Sequence, residues 1–170
     1  MISAIVYTSK TGNTKKYAQL LSDLIGLPAY SANAVPPPKK GREVIYLGWI
    51  FAGGVKGLKS VSRKHKIRAV CPVGMGPATE KVAKKVRRRH HLRKNVPVFP
   101  LQGGYDLKKL HGVNHVLMSV MEKKIMARLK GQEKLSPAEM DTKRMIEQGY
   151  SVVSSDRLTE VVSWYKKQKR

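Results

Sequence analysis

Acidic side chains are scarce in this chain. Its 170 residues hold 11 Asp and Glu against 34 Lys and Arg, a formal net charge of +23, and the first 105 residues contain only Asp23, Glu43 and Glu80 as acids. That shortage argues against a hydrolase built on paired carboxylates. The single cysteine, Cys71, excludes a disulfide framework and a thiolate metal cluster. With nothing basic beside it in sequence to lower its pKa, Cys71 reads as a small core residue. No run approaches the ~20 apolar residues needed to span a bilayer, and no basic leader stands ahead of the first apolar run, so a cytoplasmic chain is expected. Neither GxxxxGK[ST] nor GxGxxG occurs, which removes the two commonest nucleotide loops.

What the chain does have is a strong opening. Ile5, Val6 and Tyr7 close a short apolar run of the kind that makes a buried parallel strand, and Tyr17, Leu20, Leu21, Leu24 and Ile25 repeat at helical spacing. Between them lie Thr8, Ser9, Lys10, Thr11, Gly12, Asn13 and Thr14. A strand entering a helix through such a loop aims free backbone N–H groups, hydroxyls and the positive end of the helix dipole at one spot, which suits a phosphate. The plainer alternative is an ordinary strand-to-helix turn capped by Asn13 or Thr14.

Ile5 to Leu21 resembles the flavodoxin signature: two aliphatics and an aromatic (Ile5, Val6, Tyr7), then Ser9, Gly12, Thr14, Ala18 and Leu21. The resemblance implies an α/β, flavodoxin-like three-layer sandwich with a five-stranded parallel sheet in the order 2-1-3-4-5, and FMN held with its phosphate in the loop from Thr8 to Thr14. Two later turns would complete the site. The run Val44 to Trp49 opens into Ile50, Phe51, Ala52 and Gly53, and the resemblance sets this turn against the flavin ring, with Trp49 or Phe51 stacking on it. Both could equally be core aromatics at a strand end. The strand Ile67 to Val73 leads into Gly74, Met75 and Gly76, at the edge where an open doubly wound sheet binds its ligand.

The stretch Val55 to Lys66 is expected to form a short basic helix, and Pro77 to about Leu92 a second one. The second carries Lys81, Lys84, Lys85, Arg87, Arg88 and Arg89, with Arg93 and Lys94 beyond it and no acid after Glu80. It is either a solvated face or a docking patch, since like charges this dense repel one another. Val96 to Leu101 reads as the last strand, and Gln102, Gly103, Gly104, Tyr105 and Asp106 as substrate or partner contacts. Pro36, Pro37 and Pro38 make a stiff link. His111 and His115, four apart, lack an evident third metal ligand.

Residues 106–150 read as a helical insertion before the last helix of a single domain. Val113, Val116, Leu117, Val120, Met121, Ile125 and Leu129 form a helical apolar stripe, more often core packing than a membrane surface. Ser136, Pro137 and Glu139 start another helix, and Ser155 or Asp156 caps the last. The basic Met-rich helix, Asp141, the Tyr150, Val152, Val153 cluster, Asp156 and a closing helix with Val161, Val162 and Trp164 are similar in order to the menaquinone-dependent protoporphyrinogen dehydrogenases. That likeness implies a flavin-linked oxidoreductase at the inner membrane face, acting on a protoporphyrinogen-like or quinone-linked substrate; an electron-transfer flavodoxin is the simpler form.

The charge bears on the partner. A surface this basic favours an acidic redox partner, an anionic membrane face or nucleic acid. Reduced FMN is an anion, stabilised by about 0.4 kcal/mol for each unit positive charge ~10 Å away in a water-like dielectric, so a less reducing flavin than an acidic flavodoxin's is expected. The second class of function is a flavin-free module of the same fold whose basic face binds nucleic acid or an acidic protein.

Overall fold

The computed structural model describes residues 1–35, 39–105, 113–131, 140, 143, 146, 147 and 149–168. Pro36 to Pro38, Asp106, His111, Ser136 to Glu139 and Asp141 therefore lie outside the described residues. The described chain divides into two compact units, 1–103 with 152–170 and 104–151.

The larger unit is an α/β structure on a mostly parallel sheet. Its strands are β1 (Ile2–Thr8), β2 (Ala29–Ser31), β3 (Glu43–Phe51), β4 (Gly54–Val55), β5 (Lys66–Gly74) and β6 (Leu101–Gln102). They lie in the order β2-β1-β3-β5-β6, with β4 paired on β3. Only the β3–β4 pair is antiparallel. Helices α1 (Asn13–Ile25), α2 (Leu58–Ser62) and α3 (Glu80–Arg89), a 3-10 turn (Ser155–Leu158) and α5 (Thr159–Gln168) complete the unit. The smaller unit holds the two-residue strands β7 (Gly104–Tyr105) and β8 (Tyr150–Ser151), paired antiparallel, and helix α4 (Val113–Lys130). On α4, Val116 is 61% exposed and Val120 48%, while Leu129 is buried.

Strand parity divides the core. Ile5, Ile45, Leu47, Ala69, Cys71 and Val73 pack with Tyr17, Ala18, Leu21, Leu158, Val161 and Tyr165, which places α1 and α5 on one face. Ala4, Val6, Val44, Tyr46 and Val70 pack with Leu58, Val61 and Val86 of α2 and α3 on the other. Each fully buried aliphatic here is worth about 1.5–3 kcal/mol of transfer free energy. Cys71 belongs to this core, and burial alone pushes its thiol pKa far up.

Four expectations are corrected. The sheet has six strands, not five, because Phe51 pairs back on Gly54 across a tight turn and makes β4. That hairpin takes Gly54 and Val55 out of the following helix, which shrinks to Leu58–Ser62. The last strand covers only Leu101–Gln102, with an isolated bridge from Val70 to Val98. Pro97 and Pro100 supply no N–H to the ladder, so Val70 N–H donates to the Pro97 carbonyl and Phe99 N–H to the Val70 carbonyl without a continuous strand forming. Helix α3 begins at Glu80 and not at Pro77, because the Thr79 hydroxyl accepts from Val82 N–H at 3.4 Å and fixes the start there.

Candidate functional site

Register places the candidate loops. Thr8 pairs with Gly48, Trp49 with Val73, and Gly74 with Gln102, so the carboxyl ends of β1, β3, β5 and β6 form one edge of the sheet. The segments after those ends, 9–14, 50–53, 75–76 and 103, all leave from that edge. Two packing contacts tie them together. A Cβ placed on Gly103 would sit 3.3 Å from Asn13 Cβ and 2.7 Å from Val73 Cγ1, and one on Gly74 would sit 3.1 Å from Ile50 Cδ1. Gly103 N–H donates to the Gly74 carbonyl at 2.8 Å.

The first loop departs from an ordinary capped turn. The N-cap residue of α1 is Gly12, at φ 96°, which has no side chain to cap with, so neither Asn13 nor Thr14 occupies the N-cap position. Only a residue without Cβ adopts that φ comfortably. The Ser9 hydroxyl is buried with no hydrogen-bond partner among the described residues. A buried hydroxyl left unpaired costs about 1–3 kcal/mol, which makes Ser9 a candidate to take a partner from outside the chain. Lys10 is exposed, and Thr11 and Asn13 are half-buried. Thr14 is 2% exposed and faces the core side of α1.

Thr8 is engaged elsewhere. The Tyr46 hydroxyl lies 2.5 Å from the Lys56 carbonyl and 2.8 Å from the Thr8 hydroxyl. A phenol has one proton, which the carbonyl takes because it can only accept, so Thr8 donates in return. Burial raises the Tyr46 pKa to about 12, against a smaller lowering by Thr8. Val73 is likewise a core residue, 5% exposed, and contributes backbone and not side chain to the edge.

The second loop is a hairpin turn. Ala52 at φ 48° and Gly53 at φ 75° join Phe51 to Gly54, the two left-handed residues of a type I′ connection. Trp49 and Phe51 share the strand parity of Ile45 and Leu47 and so project on the α1 face. Their ring centroids are 5.5 Å apart at 58°. The Lys56 ammonium stands 4.8 Å from the Phe51 centroid and 5.9 Å from that of Trp49, a cation over a half-exposed aromatic pair. Ile50 has the opposite parity and packs beside Gly74.

The third edge is braced by residues that no motif marks. Tyr17 OH donates to the Gln102 carbonyl at 2.6 Å, Gln102 Nε2 donates to the Met75 carbonyl at 3.3 Å, and Arg157 donates to Gln102 Oε1 at 3.4 Å. Burial raises the Tyr17 pKa, and the Arg157 charge opposes that rise. Arg157 thus brings a cation from the C-terminal segment to the sheet edge. Its only sequence signal is a position before the last helix; the contact exists because α5 packs on α1.

The remaining candidates part company. Met75 and Gly76 are exposed beyond β5. His111 and the side chain of His115 lie outside what is described, and among the described residues no three His, Cys, Asp or Glu side chains group to hold a metal. Among the same residues no helix is long and apolar enough to cross a membrane. No protein-family model matches this chain, and no curated protein matches it.

Proposed function

We propose that this chain binds FMN at the carboxyl edge of its sheet and works as a flavodoxin-like redox protein. The observation that carries the reading is the Ser9 hydroxyl, buried without a hydrogen-bond partner among the described residues, in a loop that runs through the left-handed Gly12 into α1. Hydroxyls, first-turn N–H groups and the helix dipole there would converge on a dianion. The mostly parallel sheet, with strands in the order β2-β1-β3-β5-β6 and β4 paired on β3, is compatible with a flavodoxin-like layout.

In this reading Ser9, Thr11, Gly12, Asn13 and Thr14 hold the phosphate, Thr14 and Gly12 chiefly through backbone. Trp49 or Phe51 covers one face of the ring, and the backbone of Gly74, Met75 and Gly76 forms the opposite wall. Bound flavin supplies the electron or hydride transfer, and the protein supplies position and field. Lys10, Lys56 and Arg157 make that field positive and favour the anionic reduced ring. An acidic partner protein, or a substrate carrying propionates or linked to quinone, suits the cationic rim. A seat at an anionic membrane face fits the same charge.

Purification followed by a visible spectrum and an FMN titration tests the reading. A yellow protein, or quenching of flavin fluorescence with saturation at one equivalent, is the expected result. A colourless protein that leaves FMN fluorescence untouched overturns it.

A further inference from the structure

The outer face of α3 has no structural explanation. Val82 and Val86 turn one side of this helix onto the sheet, and Lys81, Lys84, Lys85, Arg88 and Arg89 form an exposed row on the other. Arg93 and Lys94, also exposed, follow in sequence beyond His91, whose left-handed φ of 49° turns the chain. The one acid on α3 is Glu80, paired with Lys84 at 3.0 Å. Arg88 and Arg89 complement the negative end of the helix dipole, but Lys81 stands in the first turn, where the positive end repels it, and Lys84 and Lys85 sit at mid-helix, where the dipole compensates neither. Lys85 and Arg89 lie along the β3–β4 hairpin: a Cβ on Gly53 would be 2.8 Å from Lys85 Cε, and one on Gly54 would be 3.0 Å from Arg89 Nε.

We infer that this face binds the phosphodiester backbone of nucleic acid without reading sequence. Charge density matches. At 1.5 Å per residue the row from Lys81 to Arg89 spans about 12 Å, and a duplex presents one phosphate per ~1.7 Å of axis, or about seven over that length. Five cations face about seven anions. The row mixes Arg, which grips phosphate through two parallel N–H bonds, with Lys as a point charge. Neither an acyl layer nor an acidic protein fits as well. The exposed large hydrophobic side chains among the described residues are Met1, Leu24, Val35, Met75, Val116, Val120 and Met140, none of them on α3 or the hairpin. The face therefore offers no apolar wedge for a membrane, and α3 carries no aromatic anchor for a protein hot spot. The inference is independent of the flavin reading, and both can hold.

The test is fluorescence anisotropy of the full chain with a labelled 20-base-pair DNA duplex, the same sequence as RNA duplex and as single strand, from about 50 to about 200 mM salt. A log–log salt slope near −4 to −5 is expected for about five phosphates. The triple variant Lys81→Gln, Lys84→Gln, Arg88→Gln should flatten the slope by about 2.7 and weaken binding at least tenfold at the low-salt end. Lys16→Gln, Lys166→Gln, Lys167→Gln removes the same charge elsewhere and should leave the slope within about one unit of the parent. Arg93→Gln, Lys94→Gln, off the helix, gives a second reading should the first triple unfold by circular dichroism. Equal losses in both triples, no binding by any nucleic acid, or binding only to phosphatidylserine vesicles would overturn the inference. Preference among duplex DNA, duplex RNA and single strand names the backbone form within it.

Discussion

His90 Nε2 accepts a hydrogen bond of 2.8 Å from Val55 N–H, so the residue that caps the C-terminus of the basic helix holds the hairpin that carries Ala52 and Gly53. An accepting Nε2 requires a neutral ring protonated on Nδ1. Burial, then the charges of Arg89 and His91, holds the His90 pKa below its ordinary 6.5. His65, buried with Nδ1 unpartnered among the described residues, is lowered by burial and then by Arg42 and Lys64. The unfolded chain takes up these two protons near 6.5 and the folded chain only at lower pH, so stability rises with pH across that window. The contribution is complete above pH 6.5 and is lost as acid passes 6.5 and reaches the folded values. Urea midpoints measured from about pH 8 to about pH 5 should fall on the acid side, and His90→Gln should shallow that fall. A profile that stays level contradicts the assignment.

The hairpin turn predicts opposite signs at adjacent residues. Ala52 at φ 48° stands where a side chain costs about 1–2 kcal/mol, and Asn tolerates that region better. Ala52→Asn should raise stability by about 0.5–1 kcal/mol. Gly53→Ala should lower it by at least about 1 kcal/mol, since φ is 75°, while the flexible end of Lys85 beside it can move aside. Chemical denaturation of the two variants decides both.

Ser9→Ala separates stability from ligand binding. Removing an unpartnered buried hydroxyl should leave the flavin-free protein as stable as before or up to about 1 kcal/mol more so, while FMN affinity drops by about tenfold. A loss of stability in the free protein would mean that Ser9 bonds within the chain.

Tyr46 should resist ionisation. With its pKa pushed up to about 12 the folded protein holds this proton where the unfolded chain, near 10.0, has released it. Stability is therefore complete below pH 10.0 and declines as the pH climbs through about 12. Tyr46→Phe should cost about 1–2 kcal/mol by stranding the Lys56 carbonyl, and should remove the late step of an ultraviolet titration.

Glu43 anchors the far end of the sheet. Lys66 at 2.8 Å, the Met1 amino group at 3.2 Å and Arg68 at 3.4 Å surround its carboxylate, and the Lys66 hydrogen bond leads in lowering its pKa to about 2. Because the folded pKa is depressed below the ordinary 4.5, its contribution is present above that value and fades as acid approaches about 2. Glu43→Gln should shift acid unfolding toward higher pH, read by circular dichroism against pH.

Buried strands were legible wherever the apolar runs were unbroken: Val44 to Trp49 and Ile67 to Val73 lie inside β3 and β5. The last strand is shorter than its residue types suggest, because Pro97 and Pro100, which cannot donate, interrupt the strand-forming Val96, Val98 and Phe99. The hairpin was not legible, since Ala52-Gly53 lacks the Asn-Gly or Asp-Gly sequence that marks such turns. The hydroxyl, amide and glycine residues from Ser9 to Thr14 were visible in the sequence, but nothing in them told that Thr8 is engaged by Tyr46.

By itself the sequence determined the alternation that sorts side chains onto two faces, the glycine that opens α1 and the excess of cations, because each depends on neighbours a few residues apart. Tertiary structure decided which hydroxyls are spoken for, which cations face solvent and how Arg157 reaches the sheet edge, because those outcomes depend on register between strands that are distant along the chain.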